Sequence, residues 1–185
     1  MILYFIFACA TTKSNKMETP LTEEKTRVSH IQTKELEDGD ILQLIDLNQD
    51  GQTDVWNTFH PRKNNSPILV KKVLDINHDG MGDIWSYYGD DSKLIEEHFD
   101  MNFDQVIDRK EYYQDGILIS SIFDADGDDQ PEATHRVKNG TLHRSKLDTT
   151  GDGILDLWQA LDKEGKVDKY VQDTDGDGIM DQRVE

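Results

Sequence analysis

An acidic nonapeptide occurs six times in this chain of 185 residues, at nearly regular intervals. Its form is Asp-x-(Asn/Asp/Thr)-x-Asp-(Gly)-x-x-(Asp/Glu), and the copies begin at Asp46, Asp75, Asp100, Asp124, Asp148 and Asp173. Successive copies start 29, 25, 24, 24 and 25 residues apart, so each belongs to a unit of about 24 residues. A fixed period of this length is typical of repeat architectures.

The segments that flank the nonapeptides have the composition of β-strands. Apolar and β-branched runs precede four of the loops, at 41–45, 68–74, 94–99 and 117–123. Similar runs follow four loops, at 55–59, 84–88, 111–113 and 157–161. Runs this short and this rich in β-branched and aromatic residues predict strands.

Turn signals lie between the strand that leaves one loop and the strand that enters the next. Asp115-Gly116 and Asn139-Gly140 are dipeptides that favour the primed turns of two-residue hairpins. These turns predict the strand pairs Tyr113–Leu118, Tyr112–Ile119, Lys138–Thr141, Val137–Leu142 and Arg136–His143.

Chaining such units predicts an all-β domain, an antiparallel up-and-down β-meander of roughly eleven or twelve strands. All hairpin turns would then lie at one end of the sheet and all acidic loops at the other. Loops on every second strand would be about 10 Å apart, because neighbouring strands are about 4.8 Å apart. Since 132–137 and 141–147 are very polar, we expect a modest core and a sheet that is strongly twisted or curled toward a barrel. Bound metal would add the stability that such a core lacks.

The nonapeptide places oxygen ligands at alternate positions around a sharp turn. In the copy that begins at Asp75, Asn77 and Asp79 stand at positions three and five. Gly80 permits the positive φ that folds the loop over an ion. The carbonyl at position seven would point inward, and Asp83 would complete the shell directly or through water. Oxygen ligands at this spacing suit a hard cation, calcium above all.

By the same argument each of the six loops, numbered one to six in chain order, offers four candidate calcium ligands. They are Asp46, Asn48, Asp50, Asp54, Asp75, Asn77, Asp79, Asp83, Asp100, Asn102, Asp104, Asp108, Asp124, Asp126, Asp128, Glu132, Asp148, Thr150, Asp152, Asp156, Asp173, Asp175, Asp177 and Asp181.

The loops are unequal. Loop three has Gln105 where glycine is wanted, which costs strain in a left-handed conformation. Loop four has Asp129 there, which tolerates that conformation better. Thr150 in loop five is a poorer ligand than Asn or Asp. We therefore rank loops six, two and one first for calcium occupancy and loop three last.

The charge of the chain agrees with bound cations. The formal net charge is −18, which argues against nucleic acid or an anionic membrane as an electrostatic partner. Positions one, three, five and nine of the six loops hold 20 of the 38 acidic residues. Six divalent cations would leave a net charge of about −6, an ordinary value for a small soluble domain. Without them each loop crowds like charges, so the composition predicts a calcium-rich compartment.

The nonapeptide resembles the calcium loops of integrin-type FG-GAP repeats and of thrombospondin type-3 repeats, and it overlaps the first nine positions of an EF-hand. The EF-hand pattern fails at position twelve, where Asn57, Ser86, His135 and Gln159 stand and where Glu111 is the acidic exception. The FG-GAP setting of strand, loop and strand matches better, but its period is much longer. Thrombospondin repeats usually carry cysteines, which the loops here lack. The resemblance covers the loops alone and implies structural calcium.

The first nine residues resemble the end of a bacterial lipoprotein signal. An apolar run, Met1 to Ala8, precedes Cys9, the single cysteine, which would be acylated. The run lacks a basic region and is short, and a buried strand or stray apolar terminus is the alternative. Residues 10–36 are polar and predict a flexible tether, leaving 37–185 as the calcium-loop domain. The resemblance implies an outer-membrane lipoprotein of the bacterial envelope, periplasmic or surface-exposed, that contacts the membrane through its lipid only.

Three tryptophans occupy one position, two residues after the last acid of a loop: Trp56, Trp85 and Trp158. They either pack between neighbouring strands beneath the loops, which we favour, or form an aromatic strip for carbohydrate or peptide. The six histidines share no spacing, which argues against a transition-metal or catalytic site. No stretch of the sequence forms a phosphate loop, a nucleophile elbow or a basic–aromatic patch.

These observations predict a non-enzymatic, calcium-stabilised β-repeat domain with a structural or scaffold role. The alternative is a carbohydrate- or protein-binding module that uses the exposed sheet face or the tryptophan edge. A third reading is an accessory protein to an enzyme on another chain.

Overall fold

The computed structural model describes residues 30–63 and 65–184. Within them the secondary structure is β throughout, in one sheet of thirteen strands whose spatial order equals their order in the chain. The strands are β1 Ile31–Glu35, β2 Ile41–Ile45, β3 Val55–Arg62, β4 Asn65–Leu74, β5 Ile84–Tyr88, β6 Leu94–Phe99, β7 Arg109–Gln114, β8 Ile117–Phe123, β9 Ala133–Lys138, β10 Thr141–Leu147, β11 Leu157–Leu161, β12 Val167–Gln172 and β13 Gln182–Val184. The predicted all-β up-and-down meander is confirmed. Over these ranges we find no helix with the length and apolarity that crossing a bilayer requires.

The strand β1 was not anticipated, because it lies in the segment 10–36 that predicted a tether. It pairs with β2 over its whole length, from Ile31 opposite Ile45 to Glu35 opposite Ile41. All five of its residues are exposed, so main-chain pairing and not burial holds it, and composition gave no sign of it. The boundary predicted at residue 37 is therefore too late in the chain. Cys9 and the rest of 1–29 lie outside the described residues.

The two glycine hairpins form as predicted close to their turns. Asp115 and Gly116 have φ values of 54° and 75°, and Asn139 and Gly140 have 52° and 77°, as a primed turn requires. The pairs Tyr113–Leu118, Lys138–Thr141 and Val137–Leu142 are confirmed. The next pair in each hairpin is wrong by one residue, because Tyr112 faces Ser120 and Arg136 faces Arg144. A β-bulge inserts the extra residue.

Bulges follow a rule in this sheet. Each of the five hairpin-connected pairs from β3–β4 to β11–β12 contains a register shift. The six pairs connected by acidic loops contain none. Bulges raise the local right-handed twist, so the distortion is concentrated toward the hairpin end. The sheet is curled without closing, since β1 and β13 each pair with a single described strand.

Little apolar surface is buried in this single layer. Over the described residues Val55 and Ile68 are the buried apolar side chains, and the two most deeply buried side chains are Asp54 and Asp83, each 1% exposed. The buried aspartates stand at the first or ninth position of a loop: Asp54, Asp75, Asp83, Asp100, Asp108, Asp156 and Asp173. The modest core expected from the sequence is thus complemented by burial at the base of the loops.

The register defines cross-strand rows on the two faces. On one face, a mostly apolar row next to the loops contains Ile45, Val55, Leu74, Ile84, Phe99, Arg109, Phe123, Ala133, Leu147 and Leu157. The row beyond it, which we call the polar row, contains Gln43, Asn57, Lys72, Ser86, Glu97, Glu111, Ser121, His135, Ser145 and Gln159. The three tryptophans share one row of the opposite face. Because both faces contain many polar side chains, the most deeply buried side chains of the described residues lie at the base of the loops.

Candidate metal-binding loops

All six acidic loops lie at the same end of the strands, as predicted, and so form one border of the sheet. They connect β2 to β3, β4 to β5, β6 to β7, β8 to β9, β10 to β11 and β12 to β13. In an up-and-down meander these connections share the end opposite the hairpins. The topology therefore aligns the loops in a row.

The first aspartate of a loop is fixed by the loop's own main chain. In loop two, Asp75 accepts hydrogen bonds from the amide of His78 at 2.6 Å and from that of Gly80 at 2.7 Å, one on each carboxylate oxygen. Loops one, three, five and six repeat this pair of bonds. The carboxylate is thus held at the centre of the turn before any ion binds.

The third and fifth positions differ between loops. In loop two the Nδ2 of Asn77 donates to the Oδ2 of Asp79 at 3.0 Å, and loops one and three contain the same bond. The asparagine amide thereby occupies an oxygen of the fifth residue. Loops four and six have aspartate at both positions, so nothing in the side-chain pair can donate.

In these two loops the carboxylates converge. Oxygens of Asp124, Asp126 and Asp128 lie within 4.8 Å of one another, and so do oxygens of Asp173, Asp175 and Asp177. Like charges this close repel, and a hard cation between them relieves the repulsion. Each Asp triplet is therefore able to hold a metal ion. The ranking of loops for calcium occupancy placed loop six first but did not place loop four beside it. The aspartate at position three, Asp126, is the sequence feature that loop four shares with loop six.

The ninth residue ties the entrance of its loop to its exit. Asp83 accepts hydrogen bonds on one oxygen from the amides of Ile76 at 2.7 Å and Asn77 at 3.2 Å. In loop six the hydroxyl of Thr174 donates to Asp181 at 2.6 Å, and that bond is the chief reason that the pKa of Asp181 is lowered. The sequence assigned these residues to the metal alone, whereas the structure also gives them a bracing role within the loop.

The sixth position adopts the predicted left-handed backbone. Gly51, Gly80, Gly153 and Gly178 have φ values between 82° and 94°. Gln105 in loop three and Asp129 in loop four take the same conformation, at 74° and 66°. Loops three and four, which lack glycine at the sixth position, therefore keep the common shape. Gln105 and Asp129 cost backbone strain there without changing the fold of the loop.

Neighbouring loops contact one another. The Nδ1 of His78 in loop two is 2.7 Å from the Oδ1 of Asp54 in loop one. This hydrogen bond is the main cause of the lowered pKa of Asp54 and of the raised pKa of His78. In the same way Gln130 of loop four lies against Gly153 of loop five. A Cβ added to Gly153 would be 2.2 Å from the Oε1 of Gln130. Sequence reasoning treated His78 as a filler, because no spacing between histidines predicted a contact across two loops.

Trp85 packs beneath loop two. A Cβ added to Gly82 would lie 2.4 Å from Val73 Cγ1 and 3.3 Å from the Trp85 ring. Trp56 and Trp85 are separated by Val73 in the cross-strand row. Trp158 differs, since it is 41% exposed.

The polar row contains one buried network of charges. Tyr113 donates to Glu97 at 2.8 Å and contacts Glu111, which also pairs with Arg109. Burial is the first cause of the raised pKa of Tyr113, and the two carboxylates add to it. The Arg109 guanidinium lies 4.8 Å from the centroid of the Phe123 ring. Burial and the two carboxylates keep the phenol protonated, and the Nε of Arg109 is buried without a hydrogen-bond partner among the described residues.

Comparisons with known proteins give no family for this chain. No protein-family model matches the chain, and no curated protein matches it. Among solved structures, a mutant of S. aureus TarM in complex with Fondaparinux, alpha-GlcNAc-glycerol and UDP is similar over 65% of this chain, at 14% identity and a TM-score of 0.32. Accessory secretory protein 1, 2 and 3 of Streptococcus pneumoniae is similar over 67%, at 14% identity and a TM-score of 0.36. The chain spans 20% and 23% of those chains, and TM-scores this low support no inference.

Proposed function

We propose that the acidic loops bind Ca²⁺ and that the domain is a non-enzymatic, calcium-stabilised β-repeat scaffold. The observation that carries this proposal is the convergence of three carboxylates in loop four and again in loop six. Calcium takes six to eight oxygen ligands in flexible geometry, which suits a loop whose main chain already presents its oxygens. The hardness of these ligands favours calcium over transition metals.

The thin core supports a stabilising role for the ion. With few buried apolar side chains, the sheet depends on the hydrogen bonds and packing at the loop edge. A cation that binds only the folded loop adds its binding free energy to folding. Extracellular calcium modules typically bind at about 10⁻⁴ to 10⁻³ M. At a calcium concentration of about 10 mM, each such site would add roughly 1.4 to 2.7 kcal/mol.

A chelation melt tests this proposal. Two occupied sites would raise the Tm in calcium over the Tm in EDTA by roughly 10 °C, since about 1 kcal/mol shifts a domain of this size by about 2–4 °C. Magnesium at the same concentration should give a smaller rise, because it gives up its water reluctantly. The same Tm in EDTA and in calcium would overturn the proposal.

Matched variants assign the effect to the Asp triplets. Replacing Asp126, Asp128, Asp175 and Asp177 by Asn should remove most of the calcium-dependent rise and leave the protein folded in EDTA, because these side chains are exposed. The control replaces four acids outside the loops, namely Glu37, Asp90, Glu164 and Asp168, by their amides. Equal loss of the calcium effect in both variants would indicate a general charge effect in place of bound ions.

We further propose that the domain is held at the bacterial envelope by a lipid on Cys9, with the segment before β1 as its tether. The support is the apolar run that precedes Cys9. Mass spectrometry of the protein from a membrane fraction tests it. An acylated Cys9 at the mature N-terminus is the expected result, and an unmodified thiol would remove the anchor.

A further inference from the structure

One face of the sheet collects positive charge in this acidic chain. Between β9 and β12 the register aligns Arg136 with Arg144, Arg144 with Ala160, and Ala160 with Lys169. The next row on the same face places Lys146 beside Trp158. We call Arg136, Arg144, Lys146, Lys169 and Trp158 the basic face. It lies on the side of the sheet opposite the polar row.

Two adjoining depressions form on this face. The first, with a volume of about 600 Å³, is bounded by Tyr112 and Arg136. The second, of about 620 Å³, is bounded by Trp158 and Lys169. Both are lined by Arg144 and Lys146. Their volumes are within the usual range for ligand sites. No aspartate or glutamate is among the described residues that line either depression.

The cations of the basic face have no internal counter-charge. Arg136, Arg144, Lys146 and Lys169 are exposed, and within the described ranges none of them is in an ion pair. Acids outnumber bases by 38 to 20 in this chain, so acidic partners are plentiful. They are placed elsewhere, largely in the loops. Four unpaired cations that repel one another favour an external anion.

The aromatic ring of the basic face is oriented. The Nζ of Lys146 lies 4.0 Å from the centroid of the Trp158 ring, and the indole Nε1 donates to the carbonyl of Leu155 at 3.2 Å. These contacts hold the indole while it remains 41% exposed. The face thus combines a fixed apolar surface with cations on two rows.

We propose that the basic face binds an acidic polysaccharide, a chain of sugar rings that carry carboxylate, sulfate or phosphate groups. The guanidinium groups of Arg136 and Arg144 offer forked donors to such anions, and Trp158 offers a flat apolar surface to a ring. The cation row from Arg136 to Lys169 crosses three strand spacings, or about 14 Å. An extended polymer with repeated negative charge fits that length.

Other polymers fit the face less well. A peptide strand would have to add to a sheet edge, whereas β9 to β12 are paired on both sides. A single-stranded nucleic acid would need several exposed aromatic rings for stacking. Of the tyrosine and tryptophan rings described as lining the two depressions, Trp158 is exposed, whereas Tyr112 and Tyr170 are half-buried. Lys146 stands two residues before Asp148 of loop five. Arg144 stands four residues before it, about 13 Å along the strand, which exceeds the screening length of about 8 Å at physiological ionic strength. The proposal does not depend on calcium binding by the loops.

Binding to hyaluronan octasaccharides, measured by calorimetry in calcium-containing buffer, tests the proposal. An N-acetylglucosamine oligomer of equal length is the neutral probe, and a heparin fragment separates sulfate from carboxylate recognition. We expect the acidic oligomers to bind and the neutral one to bind at least tenfold more weakly. The Arg144→Gln/Lys146→Gln double variant should weaken binding of the acidic oligomers by tenfold or more, because two charge-assisted contacts are lost. Its melting curve should stay that of the wild type, since both side chains are exposed.

The control removes two exposed lysines elsewhere. Lys163→Gln/Lys166→Gln makes the same change in net charge at the turn between β11 and β12 and should alter binding less than twofold. Equal weakening by both variants would overturn the proposal, as would no binding by the wild type. Binding that survives in the basic-face variant and is lost in the triplet variant would assign it to calcium bridges at the loops. Tighter binding of an oligothymidylate of equal charge would make the face a nucleic-acid site and overturn the assignment to a polysaccharide.

Discussion

His78 and Asp54 join two successive acidic loops, with 2.7 Å between Nδ1 of the imidazole and Oδ1 of the carboxylate. Asp54 is 1% exposed, and its other oxygen accepts the amides of Leu47 and Asn48 within its own loop. One carboxylate therefore closes loop one and holds loop two. The repeats are coupled through their loops as well as through strand pairing.

Replacing His78 by Ala should loosen loop one. Asp54 loses the hydrogen bond that fixes one of its carboxylate oxygens, so the carboxylate is held less firmly against the amides of its own loop. Hydrogen exchange should speed up at the amides of Leu47 and Asn48 and stay unchanged in loops five and six. His60→Ala is the control, because His60 also contacts an aspartate, Asp40, away from the loops. Unchanged exchange in loop one would show that the contact does not couple the loops.

Alanine variants of Asp83 and Asp79 should distinguish a residue that stabilises the loop through hydrogen bonds from one that binds an ion. Asp83→Ala leaves two amides without their acceptor and should lower the free energy of unfolding by about 2–4 kcal/mol with or without calcium. Asp79→Ala removes an exposed candidate ligand and should act mainly in calcium. Denaturant melts of both variants in calcium and in EDTA measure the difference. If Asp79→Ala cost as much in EDTA as Asp83→Ala, the two roles would not be distinct.

Gln105→Gly should stabilise loop three. Gln105 has a φ of 74°, and glycine relieves left-handed strain of about 1–2 kcal/mol while losing part of that gain to the greater freedom of the unfolded chain. We expect a net gain of about 0.5–1 kcal/mol in a denaturant melt. Gln114→Gly in β7 is the control and should be destabilising, since glycine weakens a strand. A loss at both positions would mean that Gln105 makes contacts that outweigh its strain.

His135 should make stability depend on pH. Burial lowers its pKa, and the nearby Arg109 adds to the effect, so the folded chain keeps the imidazole neutral beside Ser145 and Phe123. The unfolded chain binds the proton more readily as pH falls through about 6.5, so stability contributed by the neutral ring is lost below that pH. In His135→Gln the fall in Tm between pH 7.5 and 5.5 should be smaller than in the wild type. His143→Gln is the control, and a wild-type pH profile in His135→Gln would contradict the prediction.

The conformation of each acidic loop is determined by residues within that loop. A glycine or a tolerant residue at the sixth position, and an aspartate at the first, dictate a turn through bonds within nine residues. The hairpins of Asp115-Gly116 and Asn139-Gly140 are equally local, so their first pairs could be predicted. The next pairs failed because a bulge depends on the twist of the whole sheet, which no short segment contains.

The sequence by itself determined the strand-and-loop unit, the up-and-down order and the candidate ligands, because each follows from periodicity and turn chemistry along the chain. Only the tertiary structure decided which carboxylates converge, that His78 reaches Asp54, and that Arg136, Arg144 and Lys169 form one row. The convergence arises within single loops, where the main chain positions the carboxylates, whereas the other two relationships join residues from different units and depend on how the strands pair. The basic face is the clearest case, since its members are scattered over β9 to β12 and meet only after the strands have paired.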